Sequence, residues 1–120
     1  MAKDQLILLT DDSAFMRGVL KNILTEAGHT QFLEASNGKE ALEIIKANSP
    51  ALVLLDVIMP EMGGMDVLKE VGSTTNIVMV TAVGQDTTTE EAKSLGAKGY
   101  IVKPFEKAQV LEAVNAVLGE

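Results

Sequence analysis

The stretch ALVLLDVIMPEMGG at residues 51–64 places one carboxylate, Asp56, at the end of an apolar run that favours a β-strand. The run at residues 52–55 is continuous rather than alternating, which is typical of a strand in a parallel sheet covered on both faces. A charge at the end of such a strand is unfavourable unless another group compensates it. We therefore expect a compensating charge near Asp56, and we expect its identity to indicate the function.

Similar apolar runs recur along the chain and alternate with segments of helical period. The runs are LILL (6–9), a weaker QFLEA (31–35), LVLL (52–55), IVMV (77–80) and YIV (100–102). Strict alternation of strand and helix, joined by right-handed crossovers, predicts a doubly wound α/β fold with helices on both faces of a five-stranded parallel sheet.

Residue types that begin and end helices support this alternation. Ser13 is a predicted N-cap with Gly28 as the stop of the first helix, and Asn37 is a predicted N-cap of the second. Thr87 or Thr88 is predicted to begin the fourth helix. His29, in a Gly-His-Thr turn, is expected to lie on the surface.

Composition restricts the function classes. The 120 residues predict one domain, residues 1–120, without an output domain, and the net charge of −7 argues against nucleic-acid and anionic-lipid surfaces. The chain has no cysteine, which excludes thiolate chemistry and suits a cytoplasmic protein. The first apolar run is too short for a signal peptide or a membrane span.

Polar residues directly follow four of the five predicted strands. Asp11 and Asp12 follow the first, Asp56 the third, Thr81 the fourth, and Lys103 the fifth. Because ligands of such sheets bind at the carboxyl ends of the strands, these side chains are expected to converge at one edge.

Three converging carboxylates repel one another unless a cation is present. Ligands that are all oxygen favour Mg²⁺, or Mn²⁺ in its place. With Asp11 and Asp12 holding the metal, Asp56 is the candidate nucleophile for phosphoryl transfer, and Lys103 and Thr81 are candidate donors to the phosphate.

At this point the chain resembles the receiver domain of two-component response regulators, especially the stand-alone chemotaxis type. The resemblance rests on TDDSAFMR (10–17), LLDVIMPEMGG (54–64), MVTA (79–82) and YIVKPF (100–105). It implies a flavodoxin-like (βα)5 fold with strand order 2-1-3-4-5. It also implies a phosphorylation-activated signalling protein, rather than an enzyme, that assists its own phosphorylation.

The resemblance also implies roles and partners. Asp56 would accept phosphate from the phosphohistidine of a histidine kinase, and the backbone carbonyl of Ile58 would join Asp56 and Asp11 or Asp12 around Mg²⁺. Thr81 and Tyr100 match the switch pair of the family. The chain would act as a monomer. Its target would be a protein, such as the flagellar motor switch or another phosphorelay component, and it would bind the face formed by the fourth helix, fifth strand and fifth helix.

Three positions depart from the usual family pattern. Thr10 precedes the acidic pair where the family has an apolar residue, so the surroundings of the pair are expected to be more polar. Ile58 and Val83 are apolar at positions two after Asp56 and Thr81, where relatives that lose phosphate quickly often carry polar groups. We therefore expect slow self-dephosphorylation.

Other functions fit the sequence less well. A haloacid-dehalogenase-type phosphatase needs a second acid at position 58, and a flavodoxin-like flavin carrier needs a Ser/Thr/Gly-rich loop where the chain has Asp11 and Asp12. A receiver-like interaction module that is never phosphorylated remains open, as does a role in a phosphorelay other than chemotaxis.

Overall fold

The structure, a computed structural model, describes residues 4–119, which alternate between strand and helix. The strands are β1 (Leu6–Thr10), β2 (Gln31–Ala35), β3 (Leu52–Leu55), β4 (Ile77–Thr81) and β5 (Gly99–Val102). The helices are α1 (Ala14–Glu26), α2 (Gly38–Asn48), α3 (Gly64–Val71), α4 (Asp86–Ser94) and α5 (Lys107–Leu118). Residues 1–3 and 120, which the predicted domain 1–120 includes, lie outside the described residues.

The strands form one parallel sheet in the order β2-β1-β3-β4-β5. Leu8 of β1 is paired with Leu33 on one side and with Val53 on the other. The predicted doubly wound (βα)5 fold and its strand order are therefore confirmed. Because the order reverses between β1 and β3, the carboxyl ends of these two strands flank the position where doubly wound sheets bind ligands.

Two apolar clusters cover the two faces of the sheet, as the continuous apolar runs predict. Side chains of α2 and α3 pack on one face, and those of α1 and α5 pack on the other. The first cluster includes Leu8, Leu42, Leu55, Val67 and Met79, and the second includes Leu9, Leu20, Leu54, Val80 and Val114.

The helix caps agree in part with the sequence-based expectations. The Ser13 hydroxyl accepts a hydrogen bond from Met16 N–H, and the Asn37 side chain accepts one from Glu40 N–H, so both predicted caps are confirmed. The fourth helix instead begins at Asp86, so the predicted start at Thr87 or Thr88 is wrong by one or two residues.

Helix α4 is held differently at its two ends. Its N-cap, Gln85, makes no capping hydrogen bond through its side chain, and within α4 the buried residue is Ala92. At the other end, Gly96 (φ +113°) lies so close to the α3–β4 turn that a Cβ would be 2.2 Å from the Gly72 carbonyl oxygen. A side chain is therefore excluded at Gly96 both by its left-handed backbone and by this contact.

His29 follows α1 and is only 1% exposed, so the expectation of a surface histidine is wrong. The chain turns back into β2 here, and His29 N–H donates to the Leu24 carbonyl, which draws the residue under the end of the helix.

Separately, none of the helices formed by residues 4–119 combines the length and the hydrophobicity that a membrane crossing requires.

Candidate functional site

The carboxyl rim, which we define as Asp11, Asp12, Asp56, Thr81 and Lys103, lies where β1, β3, β4 and β5 end. Parallel strands bring their carboxyl ends to the same edge of the sheet, so residues distant in sequence meet there. Cross-strand hydrogen bonds fix the heights of the two central members. Asp11 N–H donates to the Ala35 carbonyl (3.1 Å), and Asp56 N–H donates to the Thr10 carbonyl (3.1 Å).

Four members of the rim form one charged cluster. One carboxylate oxygen from each of Asp11, Asp12 and Asp56 lies within 4.8 Å of the others. The Lys103 ammonium bridges the two buried carboxylates, with Nζ 2.7 Å from Asp11 Oδ2 and 2.9 Å from Asp56 Oδ2. Asp12, by contrast, is exposed. The cluster combines three negative charges with one positive charge, so it carries an excess of negative charge.

The second oxygen of each buried carboxylate accepts from the main chain. Ser13 N–H donates to Asp11 Oδ1 at 2.9 Å, and Ile58 N–H donates to Asp56 Oδ1 at 3.3 Å. The β3–α3 loop approaches Asp56 closely, since a Cβ on Gly64 would lie 2.1 Å from the Asp56 carbonyl oxygen. Only glycine allows that approach, which holds the loop against the end of β3.

The electrostatics of the cluster perturb two of its pKa values. Burial raises the pKa of Asp11 above its usual range, although the hydrogen bonds from Lys103 and Ser13 act in the opposite direction. Burial lowers the pKa of Lys103, but its bonds to Asp11 and Asp56 outweigh this effect and raise the pKa above its usual range. Lys103 is therefore cationic at neutral pH, while Asp11 carries its charge at an energetic disadvantage.

The donor set fits a small divalent cation. The three carboxylates supply oxygen ligands, and neither histidine nor cysteine belongs to the cluster found among residues 4–119. Hard oxygen ligands with excess negative charge suit Mg²⁺, which usually binds to one or two carboxylates and keeps several waters. An exposed Asp12 beside two buried carboxylates leaves such an ion open to solvent and to a substrate.

Thr81 lies in the rim but outside the ion-pair cluster. It is fully buried, and its Oγ1 accepts a hydrogen bond from Val83 N–H at 3.3 Å. The Tyr100 hydroxyl donates to the carbonyl oxygen of the same residue, Val83. Burial, with a lesser contribution from the charge of Asp56, raises the pKa of Tyr100, although the nearby Thr89 side chain acts in the opposite direction. Thr81 and Tyr100 are therefore connected through the main chain of one residue, Val83.

The two apolar positions noted in the sequence lie near the cluster. The Ile58 side chain is 67% exposed, although its main-chain N–H bonds to Asp56. Val83 is half-buried in the β4–α4 loop. Thr10 is buried beneath the cluster, and its Oγ1 makes no hydrogen bond to any described residue. The hydroxyl is thus a buried polar group without a partner rather than part of a polar network.

Arg17 also contacts Asp11, and the sequence pattern does not predict this contact. Its Nη1 donates to the main-chain carbonyl oxygen of Asp11 at 2.6 Å, and its Nε donates to Glu34 Oε1 at 2.8 Å. Arg17 lies six residues after Asp11, inside the quoted stretch TDDSAFMR, but a basic residue in the first turns of a helix ordinarily points into solvent. Nothing in the pattern indicates that it folds back onto the preceding loop.

Residues 7–115 match the family model described as the response regulator receiver domain. The chain belongs to that family. It is a receiver-domain signalling protein and a phosphorylation-activated switch.

Individual relatives cover nearly the whole chain. It is 45% identical over 114 residues to the chemotaxis protein CheY of Thermotoga maritima, and the aligned region covers 92% of this chain and 95% of the relative. It is also 45% identical over 115 residues to CheY of Bacillus subtilis, with 93% and 96% covered. Among solved structures, it matches a chain of the CheX-CheY-BeF3-Mg complex from Borrelia burgdorferi with a TM-score of 0.89 and 32% identity, covering 94% of this chain and 88% of that chain.

Proposed function

We propose that Asp56 accepts a phosphoryl group from the phosphohistidine of a sensor histidine kinase, and that the phosphorylated chain controls a target protein in chemotaxis. The observation that carries the proposal is the position of Asp56 at the end of β3. There it lies within 4.8 Å of two further carboxylates and 2.9 Å from an ammonium group. The chain acts as a signalling protein that assists its own phosphorylation.

The proposed transfer uses the groups of the carboxyl rim. A carboxylate oxygen of Asp56 bonds to phosphorus while the P–N bond of the phosphohistidine breaks, and the imidazole nitrogen keeps the electron pair. Asp11, Asp12, Asp56 and the Ile58 carbonyl would hold Mg²⁺, which when bound supplies positive charge against the oxygens of the phosphoryl group. Lys103 donates to a phosphoryl oxygen in place of its present bond to Asp56.

The proposed switch runs from Thr81 to Tyr100. When Asp56 carries a phosphoryl group, the Thr81 hydroxyl turns from Val83 N–H toward the new phosphoryl oxygen. The main chain of Val83 then loses one of its two hydrogen bonds to side chains. Because Tyr100 bonds to the carbonyl of the same residue, the change reaches the surface formed by α4, β5 and α5.

Mixing the protein with Mg²⁺ and acetyl phosphate and measuring the intact mass tests the acceptor. We expect the mass of one phosphoryl group to be gained, and Asp56→Asn to abolish the gain. The matched control is Asp66→Asn, which removes an exposed carboxylate from α3 and should gain the same mass as the unaltered protein. Gain in Asp56→Asn would show a different acceptor. No gain in the unaltered protein, with no response to beryllofluoride, would identify a receiver-like module that is not phosphorylated.

Slow self-dephosphorylation is part of the proposal. The exposed Ile58 side chain and the Val83 side chain bring no polar group that could orient an attacking water. We expect Ile58→Glu to shorten the lifetime of the phosphorylated chain, measured by loss of the added mass in Mg²⁺ buffer. A lifetime of only seconds in the unaltered protein would contradict this part of the proposal.

The proposed target surface includes a pocket of about 470 Å³ between β5 and α5. Its lining includes Tyr100, which links it to the switch, and the exposed Ala116. The two 45% identical relatives are chemotaxis proteins, which favours a chemotaxis target such as the flagellar motor switch. A target in another phosphorelay is the alternative. In either case we propose that the chain is a cytoplasmic monomer and does not bind nucleic acid.

A pull-down from a lysate of the source cells, with and without beryllofluoride, identifies the target by mass spectrometry. We expect enrichment of a chemotaxis component in the presence of beryllofluoride. Ala116→Arg should prevent the enrichment because it fills the pocket, whereas Ala47→Arg on the exposed side of α2 should not. Enrichment that Ala116→Arg leaves unchanged would place the target surface elsewhere.

A further inference from the structure

Arg17 connects three segments of the chain beside the acidic cluster. It lies in α1, and its own N–H donates to the Ser13 carbonyl (3.1 Å). Its guanidinium extends back toward the start of the helix, where Nη1 lies 2.6 Å from the Asp11 carbonyl oxygen and Nε lies 2.8 Å from Glu34 Oε1 on β2. The Arg17 side chain is 17% exposed, against 42% for Glu34, so the contact is partly shielded from water.

This contact completes the hydrogen bonding of Asp11. The N–H of Asp11 bonds to Ala35, and its carboxylate bonds to Ser13 and Lys103. The carbonyl oxygen is the remaining polar group, and Arg17 is its partner. That carbonyl belongs to the peptide unit joining Asp11 to Asp12, so fixing it fixes the orientation of the peptide from which Asp12 projects.

Asp12 differs from Asp11 and Asp56 in how its carboxylate is held. Among residues 4–119, the structure records hydrogen bonds to the carboxylates of Asp11 and Asp56 but none to that of Asp12. Asp12 is also the exposed member of the cluster. The main chain therefore sets the direction in which the Asp12 side chain leaves the backbone, and no recorded hydrogen bond to a described residue fixes its carboxylate further.

We propose that Arg17 is a positioning residue for the metal-binding cluster. By holding the Asp11–Asp12 peptide, it keeps the Asp12 carboxylate within reach of the oxygens of Asp11 and Asp56, and Glu34 orients the guanidinium while neutralising its charge. Groups that orient metal ligands typically contribute about 10–100-fold to metal affinity. The inference rests on the Mg²⁺ site of the proposed function.

The sign of the effect separates positioning from simple electrostatics. Removing a positive charge beside an anionic site strengthens cation binding, though only slightly for a group near the surface. Removing a residue that orients the ligands weakens it. Arg17→Met removes the donors and the charge but retains an extended apolar side chain, so the two explanations predict opposite changes.

Isothermal titration calorimetry with Mg²⁺ alone tests the proposal. We expect Arg17→Met to bind Mg²⁺ roughly tenfold more weakly than the unaltered protein. The matched control is Lys21→Met, which removes a positive charge one turn further along α1, where Lys21 lies over the Phe32 ring. That control should bind within about twofold of the unaltered protein. Arg17→Lys should bind with intermediate affinity, since an ammonium lacks the planar fork that reaches both partners.

A second measurement uses the metal-free protein. Backbone ¹⁵N relaxation should give a lower order parameter for Asp12 in Arg17→Met than in the unaltered protein or in Lys21→Met. A residue that merely stabilises the fold would lower the unfolding temperature in EDTA without changing Mg²⁺ affinity or the mobility of Asp12.

The failures of the two proposals are distinguishable. If the unaltered protein binds Mg²⁺ and Arg17→Met binds it equally or more tightly, the positioning role is overturned while the proposed function stands. If the unaltered protein does not bind Mg²⁺, the proposed metal site is overturned and the role of Arg17 with it.

Discussion

The strand bodies and the carboxyl rim of the same sheet follow opposite design rules. Residues Leu52–Leu55 of β3 are all buried and apolar, and the next residue, Asp56, is a carboxylate that is 6% exposed. Burial of aliphatic side chains stabilises the fold, whereas buried carboxylates need an ammonium group for compensation. The comparison indicates that the strand bodies stabilise the fold, whereas the buried charges of the rim destabilise it and serve the chemistry of the site. Removing an apolar side chain from a strand body should therefore destabilise the protein, whereas a rim substitution should destabilise it when it removes the cation and stabilise it when it removes a buried carboxylate.

The largest effect is expected in a strand body. Leu54 is fully buried between β1 and β4 in the cluster covered by α1 and α5. Leu54→Ala removes buried methyl groups and leaves a cavity, so we expect the free energy of unfolding in urea to fall by about 2–5 kcal/mol. Phe15→Ala is the control, because the Phe15 side chain is 78% exposed and its loss should change stability by less than about 0.5 kcal/mol. Similar losses in both variants would contradict the comparison.

The next largest effect concerns the cation of the rim. Lys103→Met leaves the buried carboxylates of Asp11 and Asp56 without their ammonium partner, so we expect the metal-free protein to lose about 1–3 kcal/mol of stability. Adding Mg²⁺ should raise the unfolding temperature more in this variant than in the unaltered protein, because a cation then replaces the missing charge.

The control for Lys103→Met is Lys46→Met. Lys46 pairs with Glu70 on the surface at 3.4 Å, and both side chains are at least half exposed. Such a pair contributes less than about 1 kcal/mol. A Lys103→Met protein as stable in EDTA as Lys46→Met would show that the rim carries no electrostatic strain.

A gain in stability, smaller than the Lys103→Met loss, is expected from Asp11→Asn. The pKa of Asp11 is higher in the folded state than its ordinary value of 3.8, so the folded protein binds the Asp11 proton more tightly than the unfolded chain does. The stability that this proton contributes is complete below pH 3.8 and is lost as pH rises through the folded pKa. At pH 7 in EDTA, Asp11→Asn should therefore unfold at a higher urea concentration than the unaltered protein. The difference should shrink as pH falls toward about 4. A difference that does not depend on pH would contradict the assignment.

The smallest effect is expected from the residue that precedes the acidic pair. Thr10→Val replaces a buried hydroxyl that has no partner among the described residues with a methyl group of similar size. We expect the protein to become more stable by about 1 kcal/mol in urea unfolding. Thr30→Val, at an exposed position, should change stability by less than about 0.5 kcal/mol. Destabilisation by Thr10→Val would mean that the hydroxyl is hydrogen-bonded in solution, through water for example.

The strand bodies explain why the fold could be predicted from the sequence. A continuous apolar run has one favourable environment, a sheet covered on both faces, so β3 begins and ends where the sequence predicts. The start of α4 was missed because Thr87 and Thr88 are good capping residues, yet the helix begins at Asp86 without a capping hydrogen bond from Gln85. Local preference does not decide the start of a helix that buries little surface.

The site could be predicted only in part, for a related reason. Topology alone brings Asp11, Asp12, Asp56 and Lys103 to one edge, because the carboxyl ends of parallel strands meet there. The contacts of Arg17 and the burial of His29 depend on side-chain directions and on how loops fold back onto helices. No spacing rule contains that information.

The contact between Gly72 and Gly96 holds the carboxyl end of α4 more closely than its amino end. The carboxyl end of the helix bears against the α3–β4 turn with no space for a side chain, whereas the opposite end has no side-chain cap and adjoins the loop that contains Val83. Nine helical residues span roughly 13 Å. A rotation of α4 by about 10° around its carboxyl end would therefore displace its first turn by roughly 2 Å. A small movement of Val83 would therefore displace the amino end of α4 more than its carboxyl end, while the sheet beneath keeps its position.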